Sequence, residues 1–158
     1  MIDPFREAMA RVAGAVAIIA APFDAGFRGL TASSLVAASL EPPLVLVCLD
    51  RLSMTREAVV AAGIFGASVL TSRQRFLAER FAGRAPSVDP TWRDVPHRVG
   101  KRGAPLLEGA LAWFECTVVA VHEAGDHDAV LGEVMSAGYG GGDPLLLWDR
   151  ELWTVSNP

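Results

Sequence analysis

The sequence predicts a mainly β protein, in which six or seven strands pair through short turns into an antiparallel barrel and three short helices cover its open parts. Three observations carry this. Leu44-Val45-Leu46-Val47-Cys48-Leu49 is an unbroken apolar run of strand length. Ala110, Ala112, Phe114, Cys116, Val118 and Ala120 are apolar at a spacing of two, the period of a half-buried strand. The helical stretches are short, and glycines at 14, 63 and 83 close them.

Asp3-Pro4 reads as an N-cap followed by proline at the first helical position, with a helix to about Ala13. Ala15 to Ala21 is an apolar run closed by Pro22 and suits a buried strand. Asp24 to Gly29 is a turn region. Leu30 to Leu40 is a strand with a bend at Ala32-Ser33-Ser34, and Glu41-Pro42-Pro43 breaks it. Leu44 to Leu49 is apolar on both faces, so both faces should be covered. Ser53 caps a helix from Met54 to Ala62, and Ile64 to Leu70 is a strand. Thr71 and Gln74 match a capping box for a helix to about Phe81. Residues 84 to 105 hold four prolines and read as a surface excursion. Asp128 to Ala137 and Pro144 to Trp148 are the last strands, separated by a glycine-rich turn from Gly138 to Asp143.

A chain of 158 residues fits a single domain, 1–158, and needs no disulfide or metal to fold. Cys48 and Cys116 sit in apolar stretches and read as buried reduced thiols. The net charge is −4, and the 14 basic residues are scattered, which argues against a nucleic-acid surface. No run of 18 apolar residues exists, so no transmembrane helix is expected. The acidic opening Met1-Ile2-Asp3 is no signal peptide, and a cytoplasmic location is the expectation.

Familiar catalytic motifs fail. Gly138-Tyr139-Gly140 begins a dinucleotide fingerprint, but position 143 is Asp and no helix follows. No Walker A run or nucleophile elbow occurs. His122-Glu123-Ala124-Gly125-Asp126-His127 has one residue too many for a helical zinc motif, and Gly125-Asp126 reads as a hairpin turn. Two segments suit ligands. Gly29 to Ser34 is a run of small and hydroxyl residues that a planar ligand can approach closely, or an ordinary turn. Asp50-Arg51-Leu52-Ser53-Met54-Thr55-Arg56 gathers arginines and hydroxyls at a helix start, a phosphate site or simply a capped helix. Trp92, Trp113, Trp148 and Trp153 are many large groups for a small barrel, placed in the core or an interface.

Taken together, Gly29 to Ser34, Pro42 to Asp50, Ser53-Met54-Thr55, Phe65 to Leu70, Arg80 to Arg84, Gly103 to Ala110 and Gly125-Asp126-His127 resemble the flavin reductase family of two-component monooxygenase systems. The resemblance spans about Met9 to Leu147. It implies a split β-barrel of the FMN-binding type, usually a homodimer, that uses NADH or NADPH to reduce FMN or FAD for a partner flavin-dependent monooxygenase. It also implies roles. Gly29 belongs to the flavin-binding run, in which Thr31, Ala32, Ser33 and Ser34 would line the isoalloxazine edge and donate to its carbonyls and N5. Cys48, Leu49 and Asp50 would run beside the flavin. Arg51, Ser53 and Thr55 would hold its phosphate end, and Phe81, Gly83 and Arg84 would complete the site. His127 would sit where the nicotinamide stacks on the flavin. This thin inventory fits hydride transfer, which needs stacking and distance more than an acid–base pair. Two other functions share these features: reduction of another acceptor, such as a corrin cobalt or ferric iron, and flavin binding without turnover.

Overall fold

The computed structural model describes residues 3–83 and 88–155. Helix α1 (Pro4–Ala10) leads into β1 (Gly14–Ala15), β2 (Ala17–Phe23), β3 (Gly26–Ala32), β4 (Val36–Leu40) and β5 (Pro43–Asp50). Helix α2 (Met54–Ala62), β6 (Ile64–Val69) and α3 (Arg75–Phe81) come next, with a 3₁₀ turn over Ser72–Gln74. Then follow β7 (His97–Val99), β8 (Pro105–Leu107), β9 (Ala112–Ala124), β10 (His127–Tyr139), β11 (Leu145–Trp148) and β12 (Glu151–Thr154). Seven strands form one antiparallel sheet in the order β3-β2-β6-β9-β10-β5-β4. It curls around a core while its edges, β3 and β4, do not pair with each other. This is a split β-barrel, mainly β with short helices. Smaller sheets, β1-β11-β12 and β7-β8, pack outside it.

Strand β2 shows why its sequence is apolar throughout. Ala17, Ile19 and Ala21 face the inner core with Val45, Val47, Leu49, Phe65, Cys116 and Val130. Ala58 and Val59 of α2 plug that core. Val16, Ile18 and Ala20 face a second core with Leu70, Ala78, Trp92, Val95 and Leu145. Burying Ile18 and Ile19 on opposite faces stabilises the fold by roughly 1.5–3 kcal/mol each.

Several predicted elements change in three dimensions. Helix α1 stops at Ala10 because the Ala10 carbonyl, which a further turn would use, accepts from the Asp149 N–H at 2.8 Å. Pro22 lies within β2, where β6 has already ended its pairing at Ala20, so that side lacks no donor. Gly29 lies inside β3 and not in a turn, which is the two residues Asp24-Ala25. Only one face of β5 is fully covered: Val45, Val47 and Leu49 are buried, whereas Leu44, Leu46 and Cys48 are half-buried. Cys48 is therefore not the buried thiol expected, while Cys116 is, and burial pushes its pKa up to about 12. The stretch 88–105 is no surface excursion, since Trp92 and Val95 are 2% exposed in the second core. Strand β12 follows β11 through Asp149 and Arg150, both at positive φ, a turn without glycine that gave no signal.

Candidate functional site

The run at the end of β3 is the centre of the site. At Gly29 a Cβ would lie 2.9 Å from the Phe81 ring and 3.0 Å from Trp92, so glycine is what lets both rings close over the strand. Thr31 donates its hydroxyl to the Ala78 carbonyl of α3 at 2.6 Å. Ser34 donates to the Cys48 carbonyl at 3.2 Å and accepts from the Cys48 N–H at 3.0 Å. Each of these two hydroxyl protons thus already has an acceptor within the protein. Their work is to tie the run to α3 on one side and β5 on the other. Ala32 is buried between them. Ser33 is exposed and its hydroxyl bonds to no described residue. It borders two cavities of about 190 and 260 Å³. Thr31, Ala78 and Leu152 line the first, and Met9, Trp148 and Arg150 the second.

Beyond Cys48, β5 pairs with β10, which sets Asp50 opposite His127. Leu49 is fully buried in the inner core, so its side chain faces away from this side of the sheet. Asp50 accepts from the Leu52 N–H at 2.8 Å, and Ser53 caps α2 by accepting from the Arg56 N–H at 3.0 Å. Thr55 is only 5% exposed, and its hydroxyl does not line the cleft beside Asp50. That cleft, about 520 Å³, lies between Asp50, Arg51, Arg56 and the hairpin turn Gly125-Asp126. Gly125 takes the left-handed φ of +68° that this tight turn demands. His127 Nδ1 lies 2.7 Å from Asp126 Oδ1, and that bond holds the Asp126 carboxyl below its usual range.

A further cleft, about 380 Å³, is lined by Arg28, Gly29, Phe81, Gly83 and Trp92 among others. Trp92 anchors it, with ring centroids 5.0 Å from Phe81 and 5.5 Å from Phe27. Arg80 is buried and pairs with Asp94 at 2.8 Å. Arg84 lies outside the described residues.

A family model described as a flavin reductase like domain matches residues 9–156. The chain belongs to this family. It is 36% identical over 137 residues to the flavin-dependent monooxygenase reductase subunit HsaB of Mycobacterium tuberculosis, an overlap of 85% of this chain and 72% of that one. It is 36% identical to FMN reductase (NADH) RutF 2 of Methylorubrum extorquens, over 98% of this chain and 90% of that one. Among solved structures it is similar to the NADH:FAD oxidoreductase SgcE6 of Streptomyces globisporus in complex with NAD and FAD fragments. That match has a TM-score of 0.89 and 29% identity, and covers 99% of this chain and 96% of that one.

On this flavin reductase scaffold the expected site residues form one band. It runs from Phe81 and Gly29, through Thr31, Ser33 and Ser34, to Cys48, Asp50 and His127. Leu49 and Thr55 lie behind it. Sequence reasoning missed Asp128, a carboxylate 2% exposed, although both arginines that pair with it lie in the Asp50–Arg56 segment it singled out. Arg56 reaches it with Nε at 2.6 Å, and Arg51 with Nε at 3.6 Å. A pairing between residues 72 apart leaves no local signal. Trp92 was missed as part of the site because its neighbours are turn formers.

Proposed function

We propose that this chain is an NAD(P)H:flavin oxidoreductase that supplies reduced FMN or FAD to a partner flavin-dependent monooxygenase. The observation that carries it is Ser33: a hydroxyl that bonds to no described residue, lining two cavities, in a chain that belongs to the flavin reductase family over residues 9–156. The small residues Gly29, Ala32 and Ser33 leave the backbone open to a flat ring, which fits an isoalloxazine edge. The bound pair supplies the chemistry, a hydride passing from nicotinamide C4 to flavin N5. The protein orients. Thr31 and Ser34 hold the run in place, Ser33 addresses the flavin edge, and Arg51 with Ser53 faces its phosphate end. His127 has one ring nitrogen engaged by Asp126, which leaves Nε2 for the nicotinamide side.

NADH oxidation should rise with added FMN and saturate. Absence of turnover with either nicotinamide, while FMN still binds by fluorescence quenching, overturns the reading in favour of another acceptor or a non-catalytic flavoprotein. His127→Ala is expected to raise the KM for NADH roughly five- to tenfold, the worth of one hydrogen bond, with flavin binding unchanged. Unaltered NADH kinetics would remove His127 from the site.

We also propose that 1–158 is a single domain working as a homodimer. Val36, Leu46, Leu131 and Ala120 form one cross-strand row on the outer face of the sheet, and Val36 is 53% exposed. Cys48 stands on the same face, so a second copy there would border the band. Sedimentation should give twice the 16.8 kDa chain mass, and Leu46→Glu should halve it. A monomeric wild type would refute the dimer. No helix among the described residues is long and apolar enough to cross a membrane. Scattered basic residues and a net charge of −4 favour a protein that binds neither nucleic acid nor anionic membranes, and we place it in the cytoplasm.

A further inference from the structure

The charges around the Asp50–Arg56 cleft are unbalanced. Among the described residues, the carboxylates Asp50, Glu123, Asp126 and Asp128 stand around the two guanidinium groups of Arg51 and Arg56, with His127 on Asp126 at 2.7 Å and Arg6 acting on Asp126 as well. The Asp128 side chain is 3% exposed, and Arg56 claims it through Nε at 2.6 Å and a terminal nitrogen at 2.5 Å, both on Oδ2. Arg51 is placed differently. Its Nε lies 3.6 Å from Asp128 Oδ1, its NH1 approaches the Gly125 carbonyl at 3.5 Å, and its one short bond, 2.6 Å, goes to Glu123 Oε1. Glu123 is 70% exposed at the end of β9 and can swing into solvent. Arg51 therefore spends its strongest contact on the partner that is easiest to displace.

We infer that Glu123 is a counter-charge latch on Arg51, which the phosphate end of the flavin displaces on binding. The inference rests on the reading above that the Asp50–Arg56 segment takes that end. With Glu123 in place, an incoming phosphate meets more carboxylates than cations. When Glu123 leaves, the Arg51 guanidinium can offer two N–H groups to the phosphate, whose greater charge and extra acceptor oxygens make the stronger charge-assisted pair. The exposed Arg51–Glu123 pair gives up little on opening. The latch thus discriminates by phosphate. A flavin with a phosphate competes with Glu123, and a flavin without one does not. The result is a loose grip on the phosphorylated flavin, suited to a product that must leave after reduction.

Steady-state KM values for FMN and riboflavin, with NADH saturating, test this. Glu123→Gln should lower the KM for FMN about threefold, within the range of one exposed ion pair, with riboflavin unchanged. The gain should shrink as salt rises and screens the cleft. An FMN value that stays put or rises, or FMN and riboflavin values that move together, overturns the latch. Arg51→Gln separates the two levels of the argument. It should raise the KM for FMN relative to riboflavin. If that ratio does not change, the phosphate reading fails, and if only Glu123→Gln is silent, the latch fails alone.

Discussion

Trp92→Ala is expected to destabilise the protein by about 4 kcal/mol, the range for removing a large buried aromatic. Trp92 is 2% exposed and touches the Phe27, Phe81 and His97 rings at 5.0–5.5 Å. It holds a φ of +57°, unusual for a side chain this size, so the surroundings must fix it. Its loss removes apolar burial and three ring contacts at once, against a total stability of roughly 5–15 kcal/mol. Because Trp92 and Phe81 close over Gly29, the KM for flavin should rise in the same variant. Urea unfolding followed by circular dichroism measures the first effect. A loss below about 1 kcal/mol would mean that the segment around Trp92 detaches without disturbing the second core.

Glu115→Ala is expected to cost about 3 kcal/mol. Glu115 is 1% exposed on β9, and no cation pairs with it among the described residues. Its carboxylate instead accepts from the Arg102 N–H at 3.0 and 3.1 Å and from the Ala104 N–H at 3.2 Å. It therefore staples the turn between β7 and β8 to the barrel. Gly100 lies so close that a Cβ there would fall 2.1 Å from Glu115 Oε2. Alanine leaves those donors unmatched and opens a cavity, and the two effects act in the same direction. Thermal unfolding checks the loss, and amide exchange should show the Arg102 and Ala104 protons released. A variant as stable as the wild type would mean that water replaces the carboxylate.

What the sequence revealed divides along physical lines. Local chemistry was legible. Ser53 caps α2, the Gln74 side chain accepts from the Thr71 N–H at 3.0 Å, and Gly125-Asp126 turns the hairpin, each set by residues within four positions. Strand β5 was legible because an apolar run of that length has few other uses. Its half-open outer face was not, since an apolar pattern does not say whether another element or another copy covers it. Trp92 and Val95 were illegible for the opposite reason: prolines around them signal a loop, and tertiary packing alone buries it. At the site, the types of residue were readable and their states were not. Nothing in Thr31 or Ser34 announces that Ala78 and Cys48 take their protons, which leaves Ser33 as the hydroxyl of the run that bonds to no described residue.

Strands β9 and β10, 13 residues each, stand in the middle of the large sheet and are joined by a turn of only two residues. Closing so short a loop costs little chain entropy, whereas the β5–β10 and β6–β9 ladders join segments far apart in sequence. The hairpin is thus the part of the barrel that can assemble first, as a template on which the distant strands add from either side. On this order of assembly the turn that carries His127 is among the earliest features to form, and the band completed by β3, α3 and Trp92 is among the last.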